Sequence, residues 1–452
     1  MEIVLENIAK IKKAHIRIRG ITVIAGENDT GKSTVSKALF SMFHGFYHLY
    51  EKIRRDRKGN LARSLRRIAT SEGKLNYSQR ITINLSSLLY GSSSAIELKC
   101  FEDIAGDLLS HFLSGELDSL SSDLENFLKE NYGEIFSDDL VPKIVSKVID
   151  LINVSDVEIG KVILSQTMNI EFYNQINSLY SKDEGKILLT IKHKTNSVTI
   201  KSNKVIQFNE EIPVETDVIY LDNPLIIDQV PVIFPHPEEI SFHNMGHREW
   251  LIWSLQNKLK YPYLDQVIEQ NFDSSATREV IVEQHLKKIY EKLDTICRGE
   301  VTVNNKFVNE WAYQIDDSEN VFLKNLSTGL KTFVILKSLL KNGTLSYGST
   351  LILDEPEIHE HPEWQLVLAE LIVLLHKEFQ VHILLNTHSP YFLRAVEVYS
   401  QKHGISEKCD YYLSELHGNE SEIENVNGCT EKIYKKLWSP FQKLENEGFP
   451  DE

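Results

Sequence analysis

Apolar and polar residues alternate at the start of the chain, in MEIVLENIA and in HIRIRGITVIAG, and their β-branched content predicts strands. Val35 to Tyr50 reads as a helix. From residue 100 to 182 apolar positions recur at spacings of three and four, around Leu108, Leu109, Phe112 and Leu113 and again in LVPKIVSKVIDLI, which predicts a mainly helical region. KILLTIKHKTNSVTIKSNKVIQF, residues 186 to 208, alternates and carries turn residues, the pattern of a β-meander. DVIYLDNPLIID begins as a buried strand, residues 246 to 296 turn helical, and a strand pair follows near 300 to 323. LSTGLKTFVILKSLLKNG predicts a turn and a helix, LILDEP a buried strand ending in acids, EWQLVLAELIVLLHKEF a helix, and VHILLNTH another buried strand.

This order predicts one α/β core whose two halves are separated by a large, mainly helical insertion. The expected boundaries are 1–99 for the first half of the core, 100–300 for the insertion with a β-meander near 186–221, 301–400 for the second half, and 401–452 for a C-terminal extension with an acidic tail.

Composition narrows the class. Across 452 residues, apolar content of 42% and charged content of 25% are those of a soluble globular protein. Cys100, Cys297, Cys409 and Cys429 form no C-x-x-C pair, which argues against a zinc ribbon and suits a reducing cytoplasm. No signal peptide is expected at the N-terminus. Leu366 to Leu375, the most apolar run, is short and broken by Glu370, so no spanning helix and no membrane partner are expected. A net charge of −16 argues against a dedicated non-specific DNA binder. The local exception is EKIRRDRKGNLARSLRRIATSEGK, residues 51 to 74, which is either a solvated helix face or a patch for nucleic acid or an acidic partner.

The chemistry is concentrated in four short stretches. GENDTGKST (Gly26, Glu27, Asn28, Asp29, Thr30, Gly31, Lys32, Ser33, Thr34) matches the phosphate-binding loop G-x-x-x-x-G-K-[ST], between a predicted strand and a predicted helix. Its glycines let backbone amides turn toward phosphate oxygens, Lys32 supplies a charge for the terminal phosphates, and Ser33 offers a hydroxyl to Mg2+. In LILDEP, Asp354 is placed to hold Mg2+ and Glu355 to polarise the attacking water or take its proton. LSTGLK puts Ser327, Thr328 and Gly329 at a helix start, a place for a phosphate. NTHSP puts His388 at a strand end, within reach of a γ-phosphate. The clusters His236, His243, His247 and His359, His361 lack the H-E-x-x-H spacing of a zinc site.

Together these stretches resemble the ABC-type ATPase head of the SMC and OLD-like branch: a mixed sheet with a phosphate-loop core. DEPEIHEHPEWQ is similar to that branch's segment after the Walker B acids, with Glu360 where a Leu is common. The signature departs as well, with Thr328 and Leu330 at positions that often hold other residues. The resemblance covers roughly residues 1–58 and 320–395. It implies ATP and Mg2+ as ligands, and heads that pair head to tail so that Ser327 and Gly329 act in trans on the nucleotide held by Lys32. The family's Q-loop has two candidates here, Gln229 and Gln79.

Within that branch the chain lacks the sustained heptads of an SMC coiled coil. It leaves 64 residues after His388, short for the Toprim nuclease domain of OLD-type proteins. The pattern resembles stand-alone ATPases of two-component anti-phage systems, PtuA-like in Septu and retrons or AriA-like in PARIS. That resemblance implies a separate nuclease or toxin subunit encoded nearby. Two alternatives stay open: a DNA-repair ATPase clamping duplex ends, for which the basic run speaks, and a nearly idle ATP-binding sensor.

Overall fold

The computed structural model describes residues 1–71, 93–112, 120–133, 135–216, 218–230, 245–260, 287–304, 310–315 and 320–448. It divides into two compact units, Met1–Tyr47 with Leu164–Glu452, and His48–Ile163.

The larger unit is built on an eleven-stranded sheet. Its strands are β1 (Glu2–Ile8), β2 (Ile11–Arg17), β3 (Ile21–Gly26), β4 (Gly185–Ile191), β5 (Lys194–Lys201), β6 (Lys204–Asn209), β7 (Val218–Leu221), β11 (Thr350–Asp354), β12 (His382–Thr387), β13 (Cys409–His417) and β14 (Glu420–Asn425). The strands β8 (Glu300–Asn304), β9 (Glu310–Gln314) and β10 (Val321–Phe322) form a separate antiparallel sheet of three. The large sheet runs β6-β5-β4-β1-β2-β14-β13-β3-β12-β11-β7. From β13 to β7 all pairings are parallel. From β6 to β2 all are antiparallel.

The residue patterns explain the division. Every residue of β3 (ITVIAG) and of β7 (VIYL) is buried, as a parallel strand covered on both faces requires. In β2 (IKKAHIR) exposed and buried positions alternate from Lys13 to Ile16, the mark of a strand with one solvated face. The core over the parallel strands joins Val23, Leu351, Leu353, Ile383 and Leu385 to Phe333 and Leu336 of helix Thr328–Lys341 and to Leu371 and Leu375 of helix Pro362–Phe379.

Two boundaries fall elsewhere than the sequence pattern predicts. The smaller unit begins at His48 and ends at Ile163, whereas the β-meander β4–β6 pairs with β1 and belongs to the main sheet. The segment after residue 401 is no appendage: β13 lies between β14 and β3, directly beside the strand that leads into the phosphate loop. Both differences arise because strand pairing joins segments far apart in the chain, which local periodicity does not register.

The smaller unit packs helices Leu49–Ser71, Ser93–Phe112, Leu120–Tyr132 and Val141–Asn153 around Leu61, Leu65, Leu108, Leu124, Ile144 and Val148. The basic run occupies the first of these helices, and its last residues, 72–74, lie outside the described chain. Its charges divide by depth. Arg54 and Arg63 are exposed, whereas Arg57 is 3% exposed. Arg57 donates to the carbonyls of Leu151, Ile152 and Val154 and to Asp156, satisfying acceptors at the end of helix Val141–Asn153.

Arg57→Ala removes that buried donor and leaves carbonyls unpaired, so it should destabilise this unit by ~2–4 kcal/mol. Arg63→Ala, at an exposed position, should stay within ~0.5 kcal/mol of the parent. Hydrogen exchange of helices Leu49–Ser71 and Val141–Asn153 reads the difference; equal protection in the two variants contradicts it.

Candidate functional site

The parallel strands bring the sequence stretches together at their carboxyl ends. Asp354 is level with Asn386, Asn386 with Ile24, and Ser414 with Gly26. The phosphate loop, Asp354–Glu355 and His388 therefore leave the sheet at one edge.

The loop's shape follows from its backbone. Asp29 and Gly31 take positive φ values, 65° and 88°, the alternating handedness that turns successive amides to one side. Gly26 has no room for a side chain, since a Cβ would stand 2.4 Å from the Ser414 carbonyl oxygen. The Ser414 hydroxyl donates to the Thr30 carbonyl at 2.6 Å, and Thr30 Oγ1 donates to the Glu27 carbonyl at 2.9 Å. Glu27, Asn28, Asp29 and Ser33 are exposed, and Thr34 is half-buried. Lys32 opens helix Lys32–Phe46 and is 5% exposed. Its Nζ donates to the carbonyls of Gly26 at 3.0 Å and Glu27 at 2.7 Å and lies 3.9 Å from Glu355 Oε1. Burial lowers the Lys32 pKa, with Glu355 and Asp354 opposing it.

Asp354 and Glu355 sit differently. Tyr220 donates to Asp354 Oδ2 at 2.9 Å and Asn386 Nδ2 to Oδ1 at 2.8 Å. The same Asn386 nitrogen reaches Ser36 Oγ at 2.9 Å, one turn after Lys32, so one buried amide ties the loop's helix to the acid strand. Glu355 has φ 50°, rare for a residue with a Cβ, and its Oε1 lies 3.1 Å from His388 Nδ1. Ser33 and Asp354 offer a hydroxyl and a carboxylate, the hard oxygen donors that fit Mg2+. The loop's inward amides and Lys32 fit a polyphosphate.

Ser327 caps helix Thr328–Lys341, accepting from Leu330 N at 3.4 Å. Ser327, Thr328 and Gly329 line an open pocket of about 340 Å³ with His359, His361 and Trp364. No residue of the phosphate loop lines it. The signature residues and the phosphate loop thus face separate spaces of one chain.

Several residues escaped the sequence reading. Asn386 and Tyr220 gave no local signal. Asp222, one residue past β7, lines a small cleft with Asp354, Glu355 and Thr332. The Q-loop candidate Gln229 is exposed at the end of a 3₁₀ turn, Pro224–Gln229, whose Ile226 and Ile227 are buried, and Gln79, His236 and His243 lie outside the described residues. His247 is held between carboxylates, with Nδ1 2.8 Å from Glu171 and Nε2 3.2 Å from Asp222. Burial would lower its pKa, but the bonds to Asp222 and Glu171 outweigh burial and raise it to about 9. Burial likewise works against Asp222, yet His247 and Arg248 bring it to about 2.

Glu360 is 6% exposed and lies under the signature, where a Cβ on Gly329 would stand 2.6 Å from its Oε2. Among the described residues no donor stands in good hydrogen-bond geometry to either carboxyl oxygen, and burial pushes the pKa up to about 8, opposed in part by a weak bond from the Thr332 hydroxyl. The unfolded chain releases this proton near the ordinary value of 4.5, whereas the folded chain keeps it up to about 8. Folding stability should therefore fall as pH rises through that window. Glu360→Gln cannot ionise, so its melting temperature should drop less than the parent's between pH 5 and pH 8.5. Parallel profiles would show that Glu360 is ionised in the folded state.

The model of the AAA ATPase domain family AAA_15 matches residues 1–393. The Retron Vc95 probable ATPase of Vibrio cholerae serotype O1 biovar El Tor is 27% identical over 178 residues, 36% of this chain. That match spans 34% of the relative's length, about one third. Among solved structures, the SMC head bound to the C-terminal winged-helix domain of ScpA gives a TM-score of 0.42 at 12% identity, covering 96% of this chain and 98% of the other. The SMC head domain from Thermotoga maritima gives 0.35 at 10% identity, covering 94% and 98%. A structural likeness at this level carries no argument about function. Among the described residues no helix is long and apolar enough to cross a membrane. The family match runs from the first strand past His388 and takes in the phosphate loop, the signature stretch and the acid strand, and the chain belongs to the AAA_15 family of AAA ATPase domains.

Proposed function

We propose that this chain is the ATP-hydrolysing subunit of a two-component bacterial anti-phage defence complex, in which nucleotide-dependent pairing of two heads controls a separate nuclease or toxin. The observation that carries the hydrolytic part is the placement of Glu355, 3.1 Å from His388 and 3.9 Å from Lys32. A carboxylate there can take a proton from water attacking a phosphate held by the loop.

The residues take distinct roles in this reading. Inward amides of the loop and Lys32 bind the phosphates. Ser33 and Asp354 hold Mg2+, which when bound neutralises charge on the phosphate oxygens. Glu355 orients the water and accepts its proton, and His388, beside it, donates a hydrogen bond to the terminal phosphate. Ser327 and Gly329, which face a pocket of their own, act on the nucleotide of a second copy. Head-to-tail pairing would complete each site from two chains. The defence assignment is supported by likeness to a retron ATPase, and the partner follows from it.

A DNA-end clamp is the competing reading, favoured by the exposed Arg54 and Arg63. It requires duplex affinity that strengthens with ATP and falls steeply with salt. Stable co-purification with the product of the adjacent gene, without DNA, favours the defence reading.

Glu355→Gln should keep ATP binding while turnover falls ~10²-fold or more, with the ATP-bound assembly accumulating. Lys32→Ala should weaken ATP binding at least ~10-fold, about 1.4 kcal/mol. Calorimetry, single-turnover hydrolysis and light scattering on the same samples test both. Parent-like turnover in Glu355→Gln removes that residue from catalysis, and parent-like affinity in folded Lys32→Ala removes the phosphate site.

A further inference from the structure

We infer that Tyr220 is a positioning residue for the Asp354 carboxylate, held in place by the buried cluster Glu171–His247–Asp222, and that it sets how tightly the site takes a divalent cation. The inference rests on the reading of Asp354 as a magnesium carboxylate.

Tyr220 lies on β7, which pairs in parallel with β11, with Tyr220 opposite Ile352. It is 2% exposed, and its hydroxyl donates to Asp354 Oδ2. Asn386 donates to the other oxygen. With a donor on each oxygen, the carboxylate cannot rotate without breaking a hydrogen bond, and each oxygen keeps a lone pair for a cation or its water ligands. A hydrogen bond to a charged acceptor inside a protein is worth more than a neutral one, so this restraint is firm.

The hydroxyl is only as fixed as its ring. The Tyr220 ring stacks on the His247 imidazole, with centroids 4.2 Å apart and planes 26° apart. Phe40, from the helix after the phosphate loop, meets His247 edge-on at 5.9 Å and Tyr220 at 6.4 Å. His247 is itself clamped. Glu171 takes its Nδ1 and its backbone amide, while Asp222 faces Nε2 and holds Arg248 through its guanidinium. Phe40 and His247 therefore hold directly the ring whose single polar atom points at Asp354, and Glu171 and Asp222 hold it through His247.

A buried tyrosine that needs only some acceptor makes a different prediction from a positioning residue. In the first case loss of the hydroxyl changes stability alone. In the second it changes the cation dependence of nucleotide binding. Tyr220→Phe separates them, because the ring and its stacking on His247 remain.

The experiment uses the full chain and a non-hydrolysable ATP analogue. Mn2+ occupancy is followed by electron paramagnetic resonance, and analogue affinity by calorimetry at graded Mg2+. Tyr220→Phe should raise the metal concentration for half-saturation by ~10-fold, the scale of one hydrogen bond to a charged group. Analogue affinity at saturating metal should stay near the parent's. Glu171→Gln, which loosens the clamp without touching Asp354, should shift the metal dependence in the same direction by a smaller factor. It carries the test alone should Tyr220→Phe fail to fold. Parent-like metal dependence in the folded variant overturns the inference. If the parent itself binds the analogue without any metal dependence, the reading of Asp354 has failed instead.

Discussion

The site depends on the register of its parallel strands. Leucines and isoleucines of β3, β12, β11 and β7 pair so that their carboxyl ends form a staircase down from Gly26, with Thr387, Asp354 and Leu221 each one register position short of the strand before. A slip of one residue in any strand would exchange the two faces of its buried side chains and misfit the apolar residues packed against them. The hydrophobic packing that stabilises the sheet is thus the same force that sets a lysine, two acids and a histidine side by side. Chemistry requires no separate scaffold.

Asn386 shows how side chains add to that register. Its amide bonds Ser36 on the loop's helix and Asp354 on the neighbouring strand. Residues brought together in this way lie 350 and 32 positions apart in the chain. No spacing rule could have found them. The phosphate loop was legible because its requirements are local: two glycines, a lysine and a hydroxyl within nine residues, between a strand and a helix. Asp354 and Glu355 were legible because a run of buried apolar residues ending in two acids has few other uses. Tyr220 and Asp222, by contrast, sit in YLDNP, which reads as an ordinary strand end until β7 is seen beside β11.

The large elements divide along the same line. The helices and the meander are written in local periodicity: among the described residues helices run over Leu120–Tyr132, Val141–Asn153 and Asp156–Glu171 and the meander over 185–209, while residues 261–286 of the expected helical stretch lie outside the described residues. The unit boundaries are not local. β13 and its Ser414, which packs against the phosphate loop, come from a segment that reads as a tail. Glu360 marks a further limit. The letter is visible and departs from the family's common leucine, but only burial under Gly329 makes its charge state informative.

Backbone strain is the last link between fold and site. Glu355 occupies φ 50° directly before Pro356, a conformation costing on the order of 1–3 kcal/mol for a residue with a Cβ. It persists because the surrounding hydrogen bonds fix both ends of the turn. The Glu355 amide continues the ladder to the Asn386 carbonyl at 3.0 Å, and Ile358 N closes back on the Glu355 carbonyl at 3.2 Å. The turn swings the Glu355 side chain away from the strand's alternation and toward Lys32 and His388. Asp354, still within the strand, keeps the regular orientation and meets Tyr220 and Asn386. One strained residue therefore separates two adjacent carboxylates into two environments, one between the donors Tyr220 and Asn386 and one facing Lys32 and the His388 ring. That difference in surroundings, more than the identity of the acids, is what allows neighbours in sequence to take different tasks at one phosphate.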